Sequence, residues 1–193
     1  MIELIAMQAW PPIPNWSELH PLVIHFPIAL LLVAPLFIIA GILMNPQKGR
    51  PFLIVALSLM LMGTVGTMLA VATGEAAAEV AHRTPGMSAI LERHQELAET
   101  TRDIFGLLTV IFATILFMPR LLKRESTMAV ARILPLAFLL FYAAGTVVLV
   151  NTAHNGGRLV HEFGTHAILA PANEANNGIN PGLATAEEAR QEH

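Results

Sequence analysis

The chain has 193 residues, 54% of them hydrophobic and 13% charged, with a formal net charge of −3 and a mean hydropathy of +0.60. Globular chains carry about a quarter charged residues, so disorder, a nucleic-acid module and a charge-driven surface binder are excluded, and the negative balance argues again against a polyanion partner. Cysteine is absent, which removes disulfides, iron–sulfur clusters, zinc-thiolate sites and thioether-linked haem and leaves His, Met and oxygen ligands for any metal or cofactor.

Residues 1–18 read as an N-terminal interfacial segment. They carry Glu3, Glu18 and the stretch Trp10-Pro11-Pro12-Ile13-Pro14 but no basic n-region, so the first apolar run is expected to be a retained helix and not a cleaved leader. Trp10 and Trp16 suit interfacial anchors. Four windows then lack Asp, Glu, Lys and Arg: residues 19–47, 51–74, 104–119 and 133–157. A helix of about 20 apolar residues crosses the hydrocarbon layer, and each charge at the centre of a span costs roughly 2.5–3.5 kcal/mol. The windows predict four membrane-spanning helices, the third lengthened by Leu121 and Leu122.

The first helix is expected over 21–44, ended by Asn45-Pro46, and the second over 51–73, with Gly63 and Gly66 permitting close approach. Thr84-Pro85-Gly86 breaks the chain. Ser88 then reads as the N-cap of a third helix whose polar first part, 89–103, projects above the membrane. His94, Leu97, Thr101, Ile104 and Leu108 recur on one face of it. The fourth helix starts near Ala129 and is expected to run past Val150 to His161 if it survives Gly156-Gly157. Residues 19–166 form the membrane domain, an all-α antiparallel four-helix bundle, and 167–193 read as a flexible tail.

Lys and Arg give the orientation. The connection after helix one carries Lys48 and Arg50, and that after helix three carries Arg120, Lys123, Arg124 and Arg132 against Glu125. The opposite face holds thirteen of the fourteen acids and five of the eleven basic residues. The basic connections are therefore cytoplasmic, and both termini lie outside.

All eight His fall on the outer side. His25 lies inside an apolar window, where an ionisable group is expected to face the bundle interior and find a partner. His154 and His161 are seven apart, on one helical face, and His94 lies on the inward stripe. At 1.5 Å per residue His25 stands about 12 Å above the midplane, His154 about 20 Å, and His94 and His161 about 27–30 Å. The heights suggest a deeper pair, His25 with His154, and a shallower pair, His94 with His161. A haem b in a helical bundle takes one or two His nitrogens from facing helices, and Gly156 and Gly157 would leave room for the macrocycle. Copper or zinc would need three or four ligands about one ion. His20, before Pro21, reads as a cap or interfacial residue, His82, His166 and His193 as solvated, and the nine Met as packing. Glu75 and Glu79 have little support as catalytic acids, and no nucleophile–base spacing, phosphate loop or His-Glu-x-x-His run occurs.

The run Leu19-His20-Pro21-Leu22-Val23-Ile24-His25-Phe26-Pro27-Ile28-Ala29-Leu30 resembles the opening signature of the bacterial four-helix membrane proteins named domain of unknown function 2231. Thr73-Gly74, His94 and Ala153-His154-Asn155-Gly156-Gly157-Arg158-Leu159-Val160-His161 are similar to that family's later landmarks, so the resemblance spans roughly residues 19–164. The family resembles the haem-binding bundles of b-type cytochromes, and its domain is sometimes joined to cytochrome c-like modules, which implies electron transfer.

The reading favoured by the sequence is a multi-pass protein of the bacterial inner membrane that binds one or two b-type haems near its periplasmic face. It exchanges electrons with a soluble cytochrome c or a quinone. His25 and His154 are the favoured axial ligands, with His94 and His161 as second choice or second site. A copper or zinc binding membrane protein is one alternative, and an accessory subunit of a larger membrane complex is another. Catalysis is not expected.

Overall fold

The computed structural model describes residues 15–81, 83–121 and 128–164. The expected tail, Trp10, His82, Lys123, Arg124, His166 and His193 lie outside the described residues. A 3-10 turn, Trp16–Glu18, leads into a short helix α1, His20–Val23, and then α2, His25–Leu43. Ile24 between these two keeps a helical backbone, so His20–Leu43 crosses as one apolar span. Three long helices follow: α3, Pro46–Val80, α4, Met87–Leu121, and α5, Met128–Phe163. Among the described residues there is no strand.

Consecutive helices run antiparallel and pack as a bundle. Four spans are long and apolar enough to cross a membrane, and only 28–33% of each apolar window is buried inside the bundle. Leu43, Leu121, Leu140 and Phe141 are among the large apolar side chains pointing outward. An outer surface of this kind suits lipid contact. At 35, 35 and 36 residues, α3, α4 and α5 are each about 50 Å long, well beyond the ~30 Å hydrocarbon layer. Their polar ends all lie at one end of the bundle, and the expected projection of helix three is shared by its neighbours. There a separate small core of Ala78, Met87, Leu91 and Leu159 forms, with Phe163 packed on it.

α3 runs past its expected end at Thr73 to Val80, where Glu75 and Glu79 stay exposed. A charge on the outer face ends a membrane span without ending a helix. Likewise Gly156 and Gly157 do not break α5, which continues to Phe163.

The main core draws on every span: Leu31, Ala34 and Ile38 from α2, Ala56 and Met60 from α3, Phe105, Leu108 and Phe112 from α4, and Phe138, Tyr142 and Leu149 from α5. Its polar ties cross between helices. Pro35 lies inside α2 and has no N–H to offer the Leu31 carbonyl one turn before it. The Tyr142 hydroxyl donates to that carbonyl at 2.7 Å. The backbone group that a proline orphans in an apolar interior is thus satisfied from α5. Thr64 and Thr109 share a 2.9 Å hydroxyl bond between α3 and α4. At the end remote from the polar projections, α2 and α3 turn so closely that a Cβ on Gly49 would run into the Gly41 carbonyl.

Candidate functional site

The projecting end of the bundle brings together two imidazoles from different helices. His20 opens α1, where Pro21 follows in the first turn and fits because its missing N–H is free there anyway. The ring turns in against α3. Its Nδ1 lies 2.9 Å from the Ala70 carbonyl oxygen and 3.3 Å from the Thr73 hydroxyl. His94, in the third turn of α4, turns in against α5, with Nδ1 3.0 Å from the Thr152 carbonyl oxygen. The Thr152 hydroxyl in turn shares a 2.8 Å bond with Thr101 and lies 3.1 Å from the Leu97 carbonyl. The carbonyl is thereby held against the neighbouring helix.

The two rings lie close together, with centroids 6.4 Å apart and planes at 80°. A carbonyl oxygen only accepts, so in each ring Nδ1 carries the hydrogen and donates it, and in the neutral ring the lone pair is on Nε2. Among the described residues neither Nε2 takes part in a hydrogen bond. Metal-ligating histidines show this arrangement: one nitrogen tied to a carbonyl fixes the tautomer and leaves the other for the ion. Two glycines complete the cradle. A Cβ on Gly74 would fall 2.9 Å from His20 Cε1, and one on Gly156 would fall 3.0 Å from His94 Cε1. Any larger residue would push the ring.

Of the residues singled out in the sequence, His94 and Gly156 belong to this cluster. His25 is exposed, with Nδ1 donating to the Pro21 carbonyl of its own helix at 2.8 Å. Five residues turn a helix by about 140°, so with His20 facing in, His25 faces out. His154 is exposed as well, because it follows inward-facing Thr152 by two residues, about 200° around α5. His161 is exposed, and open space surrounds Gly157. The deeper pair, His25 with His154, and the shallower pair, His94 with His161, are thus not what the helices bring together; the imidazole facing His94 is His20. Sequence reasoning passed over His20 as a cap. The signal available was angular: His20 and His25 cannot both face the interior.

The donor set can be weighed against candidate ligands. Among the described residues no group of three or more His, Asp or Glu side chains is close enough to hold a metal ion, and copper or zinc held by protein groups alone asks for three or four. A pair of neutral imidazoles suits an iron whose other positions are filled by a macrocycle. An apolar groove of about 580 Å³ between Val23, Phe26, Met62 and Leu69 opens elsewhere on α1–α3 and holds none of these imidazoles.

Comparison with known proteins identifies a family. Residues 17–168 match the family described as "Predicted membrane protein (DUF2231)", and since this covers most of the chain, the protein belongs to that family. No curated protein and no solved structure matches the chain.

Proposed function

We propose that this DUF2231 family member is a membrane-embedded b-type haem protein in which His20 and His94 would hold the haem, and that it serves electron transfer. The observation that carries the reading is the pair itself: two imidazoles from separate helices, 6.4 Å apart, each with Nδ1 committed to a backbone carbonyl. Haem supplies one-electron redox chemistry when bound. The chain's own part is to fix the tautomers through Ala70 and Thr152, to keep the rings pressed by nothing larger than Gly74 and Gly156, and to hold all four helices in register around them.

Charge distribution supports the orientation we assign, in the bacterial inner membrane with this end periplasmic. Lys48 lies at the opposite end, in the first turn of α3, and a positive excess marks the cytoplasmic side. A site at the periplasmic rim would be within reach of a soluble cytochrome c or a membrane quinone as electron partner.

Detergent-purified protein from a haem-replete host tests this by absorption spectroscopy. The expected result is a Soret band that shifts on dithionite reduction in the wild type and in His25→Ala and His154→Ala, and that is lost or converted to a five-coordinate form in His20→Ala and His94→Ala. Colourless wild-type protein overturns the reading, and stoichiometric copper or zinc without porphyrin would replace it with a non-haem metal site.

A further inference from the structure

The two helical hairpins, α1–α2 with α3 and α4 with α5, repeat one another position by position. A shift of 74 residues carries the first span onto α4, and a shift of 82 carries α3 onto α5. His20 falls on His94, Leu31 on Phe105, Ala34 on Leu108 and Ile38 on Phe112; Ala56 falls on Phe138 and Met60 on Tyr142. All ten apolar residues among these twelve are buried. Gly63-Thr64-Val65 falls on Gly145-Thr146-Val147, and eleven residues past the first glycine of each, Gly74 falls on Gly156. One register per helix, without insertion, accounts for all of them.

The geometry repeats with the sequence. The carbonyl that accepts from the imidazole precedes the cradling glycine by four residues in both hairpins: Ala70 before Gly74, Thr152 before Gly156. A Cβ on Gly74 would meet His20 Cε1, Nδ1 and Nε2 at 2.9, 3.2 and 3.6 Å, and one on Gly156 would meet the same atoms of His94 at 3.0, 3.5 and 3.7 Å. Lower down the likeness is looser: a Cβ on Gly63 would strike Leu31 and approach Leu30, while one on Gly145 would strike Ile104, crowd Leu108 and approach Phe105, Ile104 and Phe105 being the shifted counterparts of Leu30 and Leu31. Any bundle repeats an apolar stripe, since helices bury one face. That alone does not reproduce the same ring atoms in the same order against equivalent glycines.

Both hairpins start at the histidine end, so they are parallel repeats related by a pseudo-two-fold axis along the bundle, a symmetry that membrane proteins use to build sites between repeats. His20 and His94 are equivalent positions only 6.4 Å apart, and the axis passes between them. We infer that the ligand is gripped on this axis by two equivalent half-sites, with Gly74 and Gly156 as positioning residues that set the reach of each imidazole. The inference rests on the haem reading for its ligand: a centre with two opposed vacant positions is what two equivalent imidazoles can share. The half-sites differ in detail, for Thr73, beside His20, is replaced by Asn155, whose side chain bonds back to the Asn151 carbonyl.

The test uses the full chain, freed of haem and titrated with hemin in detergent. Gly74→Ala and Gly156→Ala are each expected to weaken hemin binding by roughly 10–100-fold, as for other groups that orient a metal-ligating His, and to a similar extent, with loss of the six-coordinate low-spin spectrum. His20→Gly and His94→Gly, which crowd nothing and guard against misfolding of the alanine variants, are expected to regain that spectrum at similar concentrations of free imidazole. A large effect from one glycine and none from its counterpart, or rescue of only one histidine variant, overturns the two equivalent half-sites while leaving haem binding intact. A wild-type chain that takes up no hemin overturns the haem reading and this inference together.

Discussion

The imidazole centroids of His20 and His94 lie 6.4 Å apart, and each ring is held by a helix of its own hairpin, α3 for His20 and α5 for His94. Neither ring belongs to the stretch of the chain where a buried ligand is most readily sought, the middle of an apolar window. The site instead lies toward one end of the apolar windows, where α1 and α4 supply the imidazoles and α3 and α5 supply the backbone carbonyls and close-packed glycines.

The Tyr142 hydroxyl replaces the N–H that Pro35 cannot give to Leu31. Tyr142→Phe leaves this carbonyl buried without a donor, and the expected loss is about 1–3 kcal/mol of stability. Thermal unfolding in detergent measures it. Pro35→Ala in the Tyr142→Phe background restores an N–H at that place and is expected to recover much of the loss. Equal melting temperatures for wild type and Tyr142→Phe would show that the bond does not matter.

Thr101 and Thr152 share a hydroxyl bond beneath His94. Hydrogen bonds between membrane helices are worth on average about 0.6 kcal/mol by double-mutant cycles. Valine at both positions, alone and together, is expected to give a coupling of that order. The Thr152 change is also expected to weaken cofactor retention, because the carbonyl that orients His94 belongs to the same residue. Coupling near zero would show that the hydroxyl bond between Thr101 and Thr152 does not support the site.

Gly49 packs on the backbone of Gly41 where α2 turns into α3. Backbone cannot swing aside as a side chain can, so Gly49→Ala is expected to cost about 1–3 kcal/mol, as for overpacking in a core. Gly157→Ala, with open space around its added methyl, is expected to be neutral or slightly stabilising, since alanine favours a helix over glycine by up to about 1 kcal/mol. Detergent melting curves of the two variants side by side check both expectations.

His25, His154 and His161 are exposed, and changes at such positions usually move stability by no more than about 0.5 kcal/mol. Their alanine variants are expected to purify with wild-type cofactor content. Loss of cofactor in His25→Ala or His154→Ala would restore the deeper pairing suggested by the heights alone.

Much of the architecture is legible in the sequence, because the bilayer writes it as an absence of charge. The four windows locate the spans, and Thr84-Pro85-Gly86 separates α3 from α4. Helix ends are less legible: Glu75, Glu79 and Arg158 close the apolar windows, yet helical hydrogen bonding continues past them in water. His94 is legible because the stripe it shares with Thr101 and Leu108 marks the inner face of α4, and both of those are buried. His20 is not, because a histidine before a proline at a helix start has an ordinary use as a cap, while depth in the apolar window favours His25. Depth says how far a side chain is from water, and the angle around the helix says what it faces. Here the angle decides. The repeat of Gly63-Thr64-Val65 in Gly145-Thr146-Val147 is present in the sequence, but its meaning depends on seeing that both following glycines touch an imidazole.

Low-temperature electron paramagnetic resonance of the oxidised, detergent-purified protein tests the central claim most directly. Two axial imidazoles in planes near the 80° found for His20 and His94 predict a strongly anisotropic low-spin iron signal, absent from His20→Ala and from His94→Ala. A high-spin signal in the wild type, or a low-spin signal that survives either replacement, would contradict the account.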